Sequence, residues 1–545
     1  MATAAPTLPA SRPASGLWSW ITTVDHKRIG LLYLYTTFFF FLVGGTEALL
    51  IRTQLVWSNM KVLNADLYNQ IFTMHGTTMI FLFVIPILAG FGNYFVPLLI
   101  GARDMAFPKL NMLSYWLLIF GGLVLNSSFF LGGAPDAGWT GYAPLSTTAF
   151  SKGPAMDFWA LGLLLIGTSS TMGAINFLVT IFTMRCPGMK LTTMPMFVWS
   201  MMITSAMVLF STPMVTVALI ILFLERNFGT VYFSVASGGD PLIWQNLFWF
   251  YSHPAVYIMI LPAMGILSEV LPVFSRKPLF GHAIIGWSSV FIAVLGFSVW
   301  AHHMFQVGSP LTVDTFFSAA SMVIAVPTGV KIFNWIATLY RGALRMNASM
   351  LFGLGMIAMF IVGGLSGVML GSVPVNWQTH DTYFVVAHLH YVLFGGSVFG
   401  IFSGLYYWFP KMHGRKLHPQ VGLWHFWLHT IGFNLTFFGM HALGLMGMPR
   451  RIYTYAGGQG WDIYNFVSTI GAFTIAVSVL IFIVNWFWSL RNGEVMGNDP
   501  WGGATLEWST SSPPPPHNFD KIPTVHGLNP LWAGDMRSEG DLPHG

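Results

Sequence analysis

Charge is what this sequence has least of. Only 8% of its 545 residues are Asp, Glu, Lys or Arg, where a soluble domain carries about 25%. That excludes a string of soluble domains. It also excludes a nucleic-acid binder, which would show a solvent-facing basic stripe. Cysteine is almost absent as well. The single thiol, Cys186, rules out an intrachain disulfide, a CxxC redox pair and an iron–sulfur ligand set. The opening stretch lacks a long apolar core and is rich in Ala, Pro, Ser and Thr. It reads as a tail and not as a cleavable signal, which leaves the first span to act as its own insertion signal.

What is abundant is apolar. Runs long enough to cross about 30 Å of hydrocarbon recur at 30–51, 72–99, 111–132, 157–184, 196–224, 244–273, 283–306, 315–340, 349–371, 383–409, 422–446 and 463–490. They predict an all-α membrane protein with twelve transmembrane helices. Lys27, Arg28, Arg103, Lys109, Arg185, Lys190, Arg276, Lys277, Arg341, Arg345, Lys411, Arg415, Lys416 and Arg491 fall in alternate loops or terminal segments. The opposite loops hold only Arg52, Lys61, Lys152, Arg226, Arg450 and Arg451. By the positive-inside rule both termini are cytoplasmic, which requires an even number of spans. Pro86, Pro213, Pro262 and Pro327 lie inside spans and should kink them. The expected organisation is an N-terminal cytoplasmic tail (1–29), a twelve-helix catalytic domain (30–490) and a polar, Pro/Gly-rich C-terminal cytoplasmic tail (491–545). The last is expected to lie extended on a partner or to be disordered.

The chain is organised around Trp249-Phe250-Tyr251-Ser252-His253-Pro254-Ala255-Val256-Tyr257. His253 and Tyr257 are four apart and share one helix face. In a soluble core such a pair is usually structural, but ionisable groups inside a membrane are functional by default. Further histidines stand in other spans: His75, His302-His303, and His388-Leu389-His390. Positions i and i+2 on a helix point roughly 200° apart. His388 and His390 therefore leave opposite faces and can each hold a different planar cofactor. Adjacent His302 and His303, at a helix end, can converge on one ion. With His253 they make a three-imidazole site with an open position, suited to copper, iron, zinc or nickel. Haem iron takes axial histidine; two ligands make an electron carrier, and one leaves a binding position.

From Asp25-His26-Lys27-Arg28-Ile29-Gly30 to about Arg491, these motifs make the sequence resemble subunit I of the haem–copper terminal oxidases, the cytochrome c oxidase family. The resemblance implies that His75 and His390 bind a low-spin haem, of the haem a type, and His388 a high-spin haem, haem a3. It implies that His253, His302 and His303 bind copper B, and that Tyr257 is the tyrosine joined to the copper histidine. Arg52 matches the arginine near the low-spin haem's formyl group, and Arg450 and Arg451 the pair facing the haem propionates. Guanidinium suits carboxylate, being permanently charged and bidentate. His380 and Asp381 match magnesium ligands completed by another subunit.

Reducing O2 to water inside a membrane consumes protons, so buried polar residues should mark paths for them. Lys331 lies well inside an apolar span, with Thr328 one turn away on the same face. Together with Ser268 and Tyr257 they resemble the family's lysine channel. A second path resembles the aspartate channel, starting at Asp104 with Asn93, Asn111 and Asn176 along its entrance. Here the sequence departs from the commoner pattern. A glutamate usually stands two residues after the copper histidine, where this chain has Ala255. Tyr251 and Ser252 match the branch in which a Tyr-Ser pair replaces it. Tyr251 and Ala255 share a face one turn apart, so the phenol can fill the place of the missing carboxyl. With a reference pKa near 10, it suits a hydrogen-bonded relay.

The resemblance implies a proton-pumping respiratory enzyme in a bacterial plasma membrane, taking electrons from cytochrome c. Its partners would be a subunit II with its own copper centre, which this chain has no cysteine pair to build, and a subunit III. A quinol oxidase differs mainly in its donor. A nitric oxide reductase would lack Tyr257 and Lys331. A twelve-span proton-coupled transporter would not explain opposed histidines on one helix beside a three-histidine cluster. His425, His429 and His441 read as interhelical links, and His413 and His418 as interfacial residues. Glu47 is an in-span acid without an assigned role.

Overall fold

The computed structural model describes residues 16–532 and the backbone of 536–537; most of the N-terminal tail and the last residues of the C-terminal one lie outside the described residues. Among the described residues the chain is predominantly helical. Its twelve principal helical segments are α1 (His26–Gln54), α2 (Ala65–Leu99), α3 (Pro108–Phe130), α4 (Ala155–Thr183), α5 (Met196–Phe228), α6 (Pro241–Ser275), α7 (His282–Gly296), α8 (Leu311–Leu339), α9 (Ala348–Gly371), α10 (Tyr383–His413), α11 (Pro419–Leu445) and α12 (Asp462–Asn492). Each apolar run of the sequence overlaps one of them, but the seventh, expected at 283–306, is helical only to Gly296 before a 3-10 turn. Ten are long and apolar enough to cross a membrane. The exceptions are α7, only 15 residues long, and the histidine-bearing α11.

Helix starts follow local chemistry. Asp25, Asn64, Asp240, Asn347 and Thr382 each accept a first-turn amide with their side-chain oxygen, satisfying donors the helix leaves orphaned. Two helices widen into π-helical turns, α2 at Thr78–Val84 and α10 at Leu393–Val398. The first ends just before Pro86, so the proline follows a turn that is already relaxed. The second is passed closely by neighbours: a methyl on Gly395 would meet Met359 Cβ at 2.6 Å, and one on Gly396 would meet Ile260 Cδ1 at 2.6 Å.

Burial is uneven. The apolar cores of α2 and α6 are 83% and 89% buried, and that of α8 is 17%. The most enclosed helices therefore carry His75 and His253. Around them, α11 packs on α12 and α10, α5 on α6, and α3 on α4.

The stretch after Arg491, expected on a partner or without order, packs instead on this chain's own helices. Aromatic anchors explain why. The indoles of Trp501 and Trp508 donate to the carbonyl and the hydroxyl of Tyr407, each at 2.9 Å. Lys411 donates to the carbonyls of Asn498, Thr510 and Ser511. Val525 donates to the Pro187 carbonyl. Residues 498–525 thus form a strap across the end of the bundle that holds Asp104. Inside it the Glu507 carboxyl, wholly buried, is pushed up to about 7 by desolvation.

Candidate active site

Three imidazoles meet where α6 passes the end of α7. After Gly296 the α-helix gives way to a tight 3-10 turn, Trp300–Met304, which swings His302 and His303 towards His253. His303 Nε2 lies 3.2 Å from His253 Nδ1 and 3.1 Å from His302 Nε2, and one nitrogen from each ring falls within 4.8 Å of the others. Three nitrogens held at about 2 Å around one ion would stand roughly 3.5 Å apart, so the donor set fits a transition metal. Two of the rings are oriented from behind, one by a hydrogen bond of the kind ligating histidines commonly make and one by stacking. His302 Nδ1 lies 2.7 Å from the Ser321 hydroxyl. His303 stacks on Trp249 at 3.7 Å, whose indole donates to the Tyr142 hydroxyl. The Tyr257 ring stands 4.8 Å from the His253 ring, and His253 Nε2 is buried without a partner.

His75 and His390 face each other nearly parallel, their rings 6.4 Å apart and inclined by 10°. Their Nδ1 atoms donate to the Gly44 and Val386 carbonyls at 2.8 Å, which leaves Nε2 of each free. Two bonds of about 2 Å to a central iron would separate the ring centres by roughly 6 Å, so the pair fits a bis-histidine haem. His388 leaves the other face of α10. Its Nδ1 donates to the Gly363 carbonyl at 2.9 Å, with the Ser366 hydroxyl at 3.2 Å, again freeing Nε2. Arg52 gives one nitrogen to Asn465 and keeps two buried nitrogens unpartnered, as a residue awaiting an acceptor would.

At this same end His380, Asp381, Arg450 and Arg451 gather. Asp381 is 3.3 Å from His380 and pairs with the Arg450 guanidinium. Burial lifts its pKa, but the His380 bond and the two arginines more than reverse this and hold the carboxyl well below its usual range. Arg451, buried beside Arg450, is drawn down to about 10. Two residues with one oxygen already engaged fall far short of magnesium's six ligands, so other groups would have to complete that site.

The expected proton-path residues divide. Lys331 is buried and donates to the Ile285 carbonyl at 3.1 Å and to the Ser289 hydroxyl. Thr328 donates to its own helix at Ile324, and Ser268 is held by Trp335 and Met264. Lys331, Thr328, Ser268 and Tyr257 are thus not joined directly; the ammonium leans on α7. Near Asp104, Asn176 clasps Phe107 through both its amide and its carbonyl, and Thr180 accepts from Ala106. Asn93 Oδ1 and Asn111 Nδ2, an acceptor and a donor, are buried and unpartnered. Burial raises the Asp104 carboxyl to about 6. Tyr251 borders a small cavity shared with Phe81, Ser170 and Thr212, and Ser252 Oγ is buried without a partner. His425, His429 and His441 bond to Tyr406, Ser478 and the Phe438 carbonyl respectively. Glu47 is buried with one oxygen free. Sequence reasoning missed Ser321, Ser366, Ser289 and Asn465; lone polar residues inside apolar spans were their only signal.

The sequence model of the family described as cytochrome c and quinol oxidase polypeptide I matches residues 28–474. Cytochrome c oxidase subunit 1 of Bacillus subtilis is 52% identical over 519 residues, covering 95% of this chain and 83% of that protein. Its counterpart from Thermostichus vulcanus is 51% identical, covering 93% and 92%. Quinol oxidase subunit 1 of Bacillus subtilis is 48% identical, covering 93% and 79%. A heme-copper terminal oxidase dimer solved by cryo-electron microscopy shares the fold, with a TM-score of 0.74 at 18% identity over 86% of this chain and 85% of that one.

Proposed function

Since the chain belongs to the cytochrome c and quinol oxidase polypeptide I family, we propose the division of labour among its residues that follows. The protein is a multi-pass membrane protein and the catalytic subunit of a haem–copper terminal oxidase. His75 and His390 would hold the low-spin haem, His388 the high-spin haem, and His253, His302 and His303 the copper. When bound, these groups carry electrons and bind and reduce O2. The observation that carries this reading is the three-imidazole cluster beside Tyr257, with the parallel His75–His390 pair.

The remaining residues serve that centre. Tyr257 offers a phenolic proton at the metal site. Arg52 gives its free N–H groups to the low-spin haem's edge, and Arg450 and Arg451 offer charge to haem carboxylates. Lys331, Thr328 and Ser268 form one proton path, bridged by water and by rotation of the lysine. Asp104, Asn93, Asn111 and Asn176 open a second, ended by Tyr251 and Ser252. Both haems are of the a type, and His380 with Asp381 contributes to a magnesium site shared with another subunit.

All twelve helical segments span a bacterial plasma membrane, with both termini and the strap on the cytoplasmic side. Residues 30–490 form the catalytic domain between tails 1–29 and 491–545. A subunit II with a copper centre passes electrons from cytochrome c, and a subunit III completes the complex. The quinol oxidase relative supports a second reading, with quinol as donor. Oxygen uptake by the purified complex, supplied separately with reduced cytochrome c and with quinol, decides between them. Absence of visible haem absorbance would overturn both.

A further inference from the structure

Asn518 lies on the strap with a left-handed backbone (φ 63°), which asparagine tolerates better than most residues. It is fully buried between the start of α1 and the Asp104 loop. Its Nδ2 donates to the Ala102 carbonyl at 2.8 Å, and its Oδ1 accepts from the Lys27 ammonium at 3.0 Å. Lys27 also donates to the Pro516 carbonyl at 2.9 Å.

The remaining contact is with His26. His26 Nδ1 lies 2.7 Å from the Asn93 carbonyl oxygen. A carbonyl only accepts, so Nδ1 carries a proton. The other ring nitrogen, Nε2, lies 2.8 Å from Asn518 Nδ2 and 3.1 Å from Asn518 Oδ1. A neutral imidazole accepts there from the amide N–H. A cationic imidazole donates there to the amide oxygen. The carboxamide therefore offers a partner to either charge state of His26, its N–H to the neutral ring and, after a small turn of the side chain, its oxygen to the cation. The charged groups facing the ring are Lys27 and Asp25 on its own helix. The Asp104 carboxylate faces the His26 backbone amide from the loop. The strap itself sets a neutral carboxamide against the ring, with His517 and Asp520 flanking it in sequence.

We propose that Asn518 is a positioning residue for proton uptake, holding His26 and Lys27 in place beside Asp104 in either charge state of the imidazole. A proton arriving at Nε2 forms an N–H that Oδ1 accepts, and its departure restores the bond from Nδ2. The inference rests on the reading of Asp104 as the start of a proton path.

The test uses the assembled, haem-loaded enzyme, fully reduced, with proton uptake on mixing with O2 followed by a pH-sensitive dye across a range of pH. Asn518→Gly keeps the left-handed backbone and removes the carboxamide. Both charge states lose a bond, but the cation loses the stronger one, so the midpoint of the pH–rate profile falls by about one unit. Asn518→Asp adds a negative charge beside the ring and moves the midpoint up. Opposite shifts support the proposal, since a merely structural lesion would not change sign with the substituent. Should Asn518→Gly fail to assemble, the direction of the Asn518→Asp shift decides alone. Wild-type midpoints, or shifts in one direction only, overturn it. Asp104→Asn separates the two readings. Unchanged uptake in that variant defeats the aspartate path. Lost uptake there, with wild-type midpoints in both Asn518 variants, defeats the role of Asn518 alone.

Discussion

Ser321 supplies one hydroxyl to one ring nitrogen, yet that bond fixes which nitrogen His302 turns towards its neighbours. Removing such a partner typically costs 10–100-fold in metal affinity. Ser321→Ala should therefore lose copper at chelator concentrations the parent withstands, read as metal per haem after dialysis; equal retention would deny the hydroxyl that role. Tyr251→Phe, which removes the hydroxyl bordering the small cavity, should slow proton-coupled turnover roughly tenfold or more, and wild-type turnover with wild-type pumping would refute the Tyr-Ser relay. Asp104 gives a third expectation. Its carboxyl titrates near 6 and not at 3.8 because burial penalises the ionised form. The unfolded chain ionises first, so this group's contribution makes stability fall between those two values and stay level above them. The infrared band of a protonated carboxyl should disappear around pH 6 and be missing from Asp104→Asn. The histidines were legible because imidazoles are scarce inside spans. Their partners were not, since Gly44, Gly363 and Val386 act through backbone carbonyls that leave no trace in residue type.

At the level of elements, hydropathy placed the helices well: each expected run overlaps a helical segment, although the seventh, 283–306, overruns α7 past Gly296. It could not show where a helix changes its winding. The 3-10 turn after α7 brings His302 and His303 round to His253, and nothing in composition marks it. Both π-helical turns begin three residues after a proposed haem ligand, His75 and His390. A π turn changes hydrogen-bond spacing without changing hydrophobicity, which hides it from any reading of periodicity. Close helix approach is equally specific. A methyl added to Gly367 on α9 would sit 2.8 Å from His388 Cε1 on α10. Gly367→Ala should displace that ring and reduce the high-spin haem signal while the low-spin signal persists. A normal ratio of the two in the visible spectrum would show that α9 can yield.

Taken as a whole, the described residues form a bundle covered at one end by the chain's own residues 498–525. The sequence showed that these residues are polar, but tail-like composition concealed their anchors, the two tryptophans that donate to Tyr407. Trp508 is almost wholly buried, at 2% exposure. Trp508→Ala should cost about 3–5 kcal/mol and lower the temperature at which haem absorbance is lost on heating; an unchanged transition would mean that the strap adds nothing to stability. The joint between His26 and Asn518 spans 492 positions of sequence. During synthesis the beginning of the first helix must wait, with His26 and Lys27 lacking these partners, until Asn518 has been made. Docking of the strap thereby becomes the step that gives the buried start of the first helix its last partners.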